Sequence, residues 1–244
     1  MKVALITEGV TDQIVLKPIV ECILEDDDIS FNSLQPLVDE EAIQVGFGGW
    51  ELVFKTIRAL DIALLLDIND FVIVQIDSDM AHMKGFDVPH AVSGSKVDAA
   101  DLCLRVIDRL KGILPQTISD EQLSKFVFAI GIHSIECWLI GLVDTGHGPK
   151  VIGNCLDGPN GLNSALEKGK HCSRWFGAAS QGQPCKIIEK TKNKGQSRKI
   201  YQELAKQFSK KKILDQQSKR NSGFASFVEQ LKTVQGRIKS KGQN

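Results

Sequence analysis

Long apolar runs are missing from this chain. Nowhere in its 244 residues do apolar positions reach the roughly 18 in succession that a membrane span needs. The opening Met1-Lys2-Val3-Ala4-Leu5-Ile6-Thr7-Glu8 meets a carboxylate too early for a secretory signal, so a soluble, cytoplasmic protein is expected. Cys-x-x-Cys pairs are absent although there are six cysteines. Cys155, His171, Cys172 and Cys185 match no standard zinc spacing. Cys22, Cys103 and Cys137 lie in apolar stretches, where a thiol behaves as a small core residue, and reduced thiols are expected throughout. No Gly-x-x-x-x-Gly-Lys-Ser/Thr segment occurs, which excludes a P-loop ATPase. Tyrosine is nearly absent: Tyr201 is the only one.

What is present is globular. Apolar residues at 42% and charged residues at 25% match ordinary folded domains, and the length suits one large domain or a core with an appendage. The zero net charge conceals a split. Residues 1–167 carry 11 Lys+Arg against 26 Asp+Glu, a balance of −15, and residues 168–244 carry 19 against 4, a balance of +15. Either the two regions have different electrostatic jobs, or they simply attract each other, or the basic tail is only solvated.

Over the first two-thirds, strand-like and helix-like segments alternate, which predicts an α/β domain with a mainly parallel, Rossmann-like sheet flanked by helices. Val3–Thr7 reads as a buried first strand. Thr11 and Asp12 cap a helix to about Glu25, with Val15, Ile19, Cys22 and Ile23 on one face. Ala42–Val45 is the expected second strand, closed by the turn Gly46-Phe47-Gly48-Gly49, and Trp50–Leu66 the second helix. Phe71–Ile76 is rich in β-branched residues and ends on Asp77. Lys96–Gly112 is amphipathic, and Phe126–Gly131 is a fourth strand leading to Ser134, a cap for a helix bearing Glu136 and Trp138. Residues 144–185 look loop-dominated with a short helix at Leu162–Glu167. Helices near 197–211 and 223–236 follow, and the tail frays from Arg237. The chain divides into a core, 1–143, and a basic, largely helical region, 144–244, packed on it.

Ligands of parallel α/β sheets bind beyond the carboxyl ends of the strands. Three acidic groups fall there: Glu8 after the first strand, Asp77 and Asp79 after the third, Glu136 after the fourth. Clustered carboxylates repel one another unless a cation neutralises them, and Mg²⁺ or Mn²⁺, which prefer oxygen ligands, suit such a set. In Asp77-Ser78-Asp79 both acids project from a turning backbone toward the same ion. Glu8 can share that ion or act as general acid or base.

Glu8-Gly9, the glycines of Gly46–Gly49 and Asp77-Ser78-Asp79, in this order along strands and helices, resemble the Toprim domain of topoisomerases, primases and OLD-family nucleases over residues 1 to about 83. The opening Leu5–Asp12, followed by Leu16, is similar to small Toprim proteins related to OLD nucleases, several of which act in bacterial anti-phage defence, some beside an ABC-type ATPase. Ile135-Glu136-Cys137-Trp138-Leu139 resembles a Glu-Ala-Trp-Leu feature of the same proteins. The resemblance implies a Mg²⁺-dependent strand-cleaving centre with Glu8, Asp77 and Asp79 as its acids and Glu136 as a further ligand. Topoisomerase chemistry lacks a suitable tyrosine and the additional domains it needs, and a primase lacks its template-binding apparatus. A nuclease remains.

An acidic pocket repels nucleic acid, so cations must hold the strand. Lys84, five residues past Asp79, is placed to steady transition-state charge, and His82 to orient water or phosphate. Lys170, Arg174, Lys186, Lys190, Lys192, Lys194, Arg198 and Lys199 form the densest basic stretch, a candidate surface for tracking phosphates. Trp175 and Phe176 are either buried or stack bases. The Gly46–Gly49 turn serves a tight strand-to-helix connection or cradles a phosphate. Two rivals stay open: a phosphohydrolase using Asp77 or Asp79 as nucleophile, and a non-catalytic Toprim-like subunit that docks an ABC-type ATPase. DNA and RNA, strandedness, and a homo-oligomer are equally open.

Overall fold

Four segments make the sheet, three of them largely apolar: β1 (Lys2–Ile6), β2 (Ser30–Gln35), β5 (Phe71–Asp77) and β8 (Phe126–Gly131). The computed structural model describes residues 1–41, 43–140, 142 and 194–241. The strands run in the order β2-β1-β5-β8 and every neighbouring pair is parallel. This is the expected α/β, Rossmann-like architecture.

Side-chain alternation along buried strands sorts the core into two halves. Val3, Leu5, Phe71, Ile73, Val127 and Ala129 face one side, and Ala4, Ile6, Val72, Val74, Ile76, Phe128 and Ile130 face the other. On the second side lie α2 (Trp50–Arg58), α3 (Ile62–Ile68) and α4 (Ala99–Ile113). On the first lie α1 (Val10–Leu24), α6 (Glu136–Ile140) and the C-terminal helices α7 (Lys194–Ala205), α8 (Lys211–Ser218) and α9 (Ser222–Lys241). A short 3₁₀ turn, Lys206–Ser209, joins α7 to α8's approach, and α5 (Asp120–Leu123) precedes β8. Trp138 is fully buried, with Phe224 edge-on at 5.1 Å and Phe227 stacked at 5.6 Å, so the C-terminal helices share one core with the sheet.

Several boundaries differ from expectation. The second sheet strand is Ser30–Gln35, an edge strand of mostly half-exposed polar residues, and not 42–45. Gln44–Val45 (β4) instead pairs antiparallel with Leu37–Val38 (β3). The expected helix from Trp50 to Leu66 is broken, because Asp61 accepts the Leu64 N–H at 3.1 Å and starts α3. Lys96 belongs to a small hairpin, Ala91–Val92 (β6) with Ser95–Lys96 (β7), and α4 starts later with Asp98 as its cap. A third C-terminal helix, α8, stands between the two expected ones. The tail does not fray at Arg237: its guanidinium donates to Ser124 O at 2.6 Å, and α9 continues to Lys241. The expected loop at 144–185 and helix at Leu162–Glu167 lie outside the described residues.

The opposite charges of the two parts meet at Glu25. Lys211 and Lys239 pair with it, the latter at 3.1 Å. These hydrogen bonds and charges bring its carboxyl down to about 2. Of the cysteines, Cys22 and Cys103 are free, and burial pushes the Cys103 thiol up to about 11. Cys137, expected as a reduced core thiol, is disulfide-bonded. Among the described residues no helix is long and apolar enough to cross a membrane.

An edge strand needs protection, and on β8 a side chain supplies it. Gln230 of α9 accepts from Phe128 N at 2.9 Å and donates to Phe128 O at 3.0 Å, standing in for a neighbouring strand. Gln230→Ala is expected to cost about 1–2 kcal/mol, two ordinary hydrogen bonds. Urea denaturation with an unchanged m-value checks it.

Candidate metal centre

From β1 the chain passes to β2 on one side, and later crosses to β5 and β8 on the other. The strand order therefore reverses between β1 and β5, and a crevice opens beyond their carboxyl ends. Glu8 stands two residues past β1 and Asp77 is the last residue of β5. The Asp77 N–H donates to Glu8 Oε1 at 2.7 Å, a tie across 69 residues of sequence. Gln75, fully buried, braces both acids: its Oε1 accepts from Glu8 N at 3.1 Å and its Nε2 donates to Asp77 Oδ1 at 2.9 Å.

The fourth strand delivers its acid by a zipper of backbone bonds. Ser78 N donates to Gly131 O and Asp79 N to His133 O, both at 2.9 Å. His133 N donates to Ser78 Oγ at 2.7 Å, and Ile135 N to Asp77 Oδ1 at 3.0 Å. The next residue is Glu136, 6% exposed, which accepts a hydrogen bond from the Tyr201 hydroxyl of α7. Two glycines permit this closeness. A Cβ on Gly131 would lie 2.5 Å from Asp77 Oδ1. The Gly46–Gly49 turn presses on the backbone of Glu8, with Gly49 N donating to Glu8 O at 2.9 Å and no space for a Cβ on Gly48.

Electrostatics identify which groups share the crevice. Burial raises the Asp77 carboxyl well above its ordinary range, and the charges of Glu8, Asp12, Glu136 and Asp79 raise it further, in that order. Three of the acids expected from the sequence, Glu8, Glu136 and Asp79, thus act on the fourth, Asp77. Asp12 joins them unforeseen. It lies in the first turn of α1, accepting from Gly9 N at 2.6 Å, while Gly9 occupies the cap position itself. Tyr201 is the other surprise. Burial, then Glu136, holds its phenol well above the usual value, so it stays a hydrogen-bond donor. No spacing rule finds it, because it reaches Glu136 only through the docking of α7.

No family model, curated protein or solved structure matches this chain. The site therefore stands on its own chemistry. Its donors are carboxylate oxygens, and their mutual repulsion is what a dication relieves. In that respect Glu8, Asp77, Asp79 and Glu136 fit Mg²⁺ or Mn²⁺. As arranged, no three His, Cys, Asp or Glu side chains among the described residues converge into a ligand set. Asp77 Oδ1 and Glu8 Oε1 instead accept backbone and amide N–H groups.

Only some of the expected cations lie among the described residues. Lys84 is exposed on the turn after Asp79, with no hydrogen bond or ion pair to a described residue. His82 is exposed, its ring 5.0 Å from that of His90, whose Nε2 lies 2.6 Å from Ser78 O. Lys170, Arg174, Lys186, Lys190 and Lys192 lie outside the described residues, as do Trp175, Phe176 and the Cys155, His171, Cys172, Cys185 group. Lys194 opens α7. Arg198 is half-buried and Lys199 exposed on the same helix.

Proposed function

We propose that this protein is a Mg²⁺- or Mn²⁺-dependent, Toprim-type nuclease that hydrolyses phosphodiester bonds, with anti-phage defence as its setting. One observation carries the reading: acids from three parallel strands, Glu8, Asp77 with Asp79, and Glu136, share the crevice where the strand order reverses. A cation bound there supplies Lewis acidity toward the phosphate and a hydroxide at neutral pH.

The chain's own groups have distinct tasks in this reading. Asp77 is the pivot, its Oδ1 fixed by Gln75 and Ile135 N. Glu8, braced by Gln75 and the Asp77 N–H, holds the opposite wall and can take a proton from water. Tyr201 fixes Glu136 by hydrogen bonding to it. The exposed Lys84 is available to steady charge on the approaching strand.

The test is direct. Purified full-length protein is incubated with plasmid DNA and with a tRNA pool, in Mg²⁺, in Mn²⁺ and in EDTA. Cleavage of at least one substrate in the divalent ions, suppressed by EDTA, is expected. Intact substrates in every tube, or equal cleavage in EDTA, overturn the reading.

A further inference from the structure

The basic residues foreseen for strand binding are spread along the C-terminal region, yet the described structure brings one of them against a cation that sequence reasoning passed over. Between α1 and α7 runs a groove of about 230 Å³ lined by Val10, Gln13, Ile14, Lys17, Arg198 and Gln202. Val10, Gln13, Ile14 and Lys17 share one face of α1 at helical spacing, and Arg198 and Gln202, four residues apart, face them from α7. No acidic side chain lines the groove.

Both cations are held there at some cost. Lys17 is half-buried, its ammonium 5.3 Å from the Phe31 ring. Burial lowers its pKa, Glu21 one turn on counters this, and Arg198 lowers it further. Arg198 donates both Nη atoms to Glu41 O at 3.3 Å, while its Nε is buried without a hydrogen-bond partner among the described residues. Like charges confined together disfavour each other unless an anion joins them. Gln13 and Gln202 add polar groups to the same lining.

We propose that Lys17 and Arg198 form a phosphate subsite that grips the nucleic-acid backbone beside the acidic centre. Its position suits that task. Lys17 lies on the same helix as Asp12, five residues beyond it, about 7.5 Å along the helix axis. Arg198 presents planar donors and Lys17 a compact charge, and neither reads a base, so the contact is independent of sequence. The identity of the ligand rests on the nuclease reading. The anion site does not.

The experiment measures binding of a short fluorescein-labelled oligothymidylate to full-length protein by anisotropy, in EDTA, over a salt series. Wild type is compared with Lys17→Gln, Arg198→Gln, the double variant and Lys17→Arg. The double variant is expected to bind more weakly, its log K against log salt flatter by about 1.4, roughly 0.7 for each lost phosphate contact on a single strand. Lys17→Arg restores most of the affinity, which separates charge from fold. An unchanged slope and affinity in the double variant overturn the subsite. Titration calorimetry with inorganic phosphate is the second arm: heat lost in the variants, with oligothymidylate binding unaffected, would assign the groove to a free anion and overturn the strand contact. EDTA removes cleavage from the measurement, so if the wild type cuts nothing in divalent ions while the double variant shows the flattened slope, the nuclease reading is lost and the subsite is kept.

Discussion

Asp77→Asn is expected to abolish metal-dependent cleavage and, in EDTA at neutral pH, to raise the melting temperature. The two effects have one cause. Asp77 is buried among Glu8, Asp12, Glu136 and Asp79, and its carboxyl is raised well above the ordinary 3.8. A group whose folded pKa exceeds its unfolded pKa stabilises the fold when protonated. That contribution is complete below the ordinary value and is lost as pH climbs through the raised one. At neutral pH without a cation, the unfolded carboxyl ionises freely while the folded one resists ionisation, so wild type has lost stability that asparagine does not lose. Its Oδ1 keeps the bonds to Gln75 and Ile135 N. A gain of a few degrees is expected, since ~1 kcal/mol moves the Tm of a chain this size by about 2–4 °C. The gain shrinks toward acid pH, where wild type protonates as well. Cleavage moves the other way. Losing a ligand is expected to cost more than the roughly 10–100-fold that loss of a mere supporting partner costs, and Glu8→Ala is expected to match it. Thermal melts at several pH values, with plasmid and tRNA assays in parallel, check both halves. Variants at Glu8 and Asp77 that cut like wild type remove the site assignment, and an Asp77→Asn protein less stable than wild type in EDTA removes the electrostatic account.

How much of this was legible depended on where each residue sits. Phe71–Asp77 and Phe126–Gly131 are buried on both faces, so Phe71–Val74 and Phe126–Ile130 read as apolar runs. Ser30–Gln35 is an edge strand, and half-exposed Ser, Asn and Gln residues carry no such signature. The break between α2 and α3 hides because apolar residues continue on both sides of it, and only the Asp61 cap marks it. The acids at strand ends were readable because the sheet itself places them. Thr11 and Asp12 were read as helix caps, but the cap position is Gly9 and both lie inside α1, where Asp12 accepts Gly9 N; that local reading concealed the part Asp12 plays in the crevice field. Gln75 gave no hint: an amide inside an apolar strand reads as an interruption until both acids are seen to need it. Lys17 and Arg198 meet across 181 residues of sequence, so no local pattern could join them.

The contribution of α7 to the acidic centre leads to the other large expected effect, Tyr201→Phe. The substitution keeps the ring that packs in the core and removes only the hydroxyl that donates to Glu136. Glu136, 6% exposed, then loses a donor it cannot replace from water. A hydrogen bond to a charged group is worth about 1.5–3 kcal/mol, and that loss is expected in EDTA. If Glu136 belongs to the ligand set, a bound dication compensates part of it, because stabilisation by a ligand follows its affinity for the folded state. The deficit in Tm between Tyr201→Phe and wild type is therefore expected to be larger in EDTA than in saturating Mn²⁺. Tyr201 acts through Glu136 and touches no substrate, since it is 4% exposed. A positioning role also predicts weaker Mn²⁺ binding by calorimetry, with Glu136→Gln lowering it at least as far. If the Tm deficit is the same with and without Mn²⁺, and Mn²⁺ binds both proteins equally, Tyr201 is packing alone and Glu136 leaves the metal centre. The tyrosine that offers no nucleophile would otherwise be the link by which the basic C-terminal region sets the geometry of acids carried by the sheet.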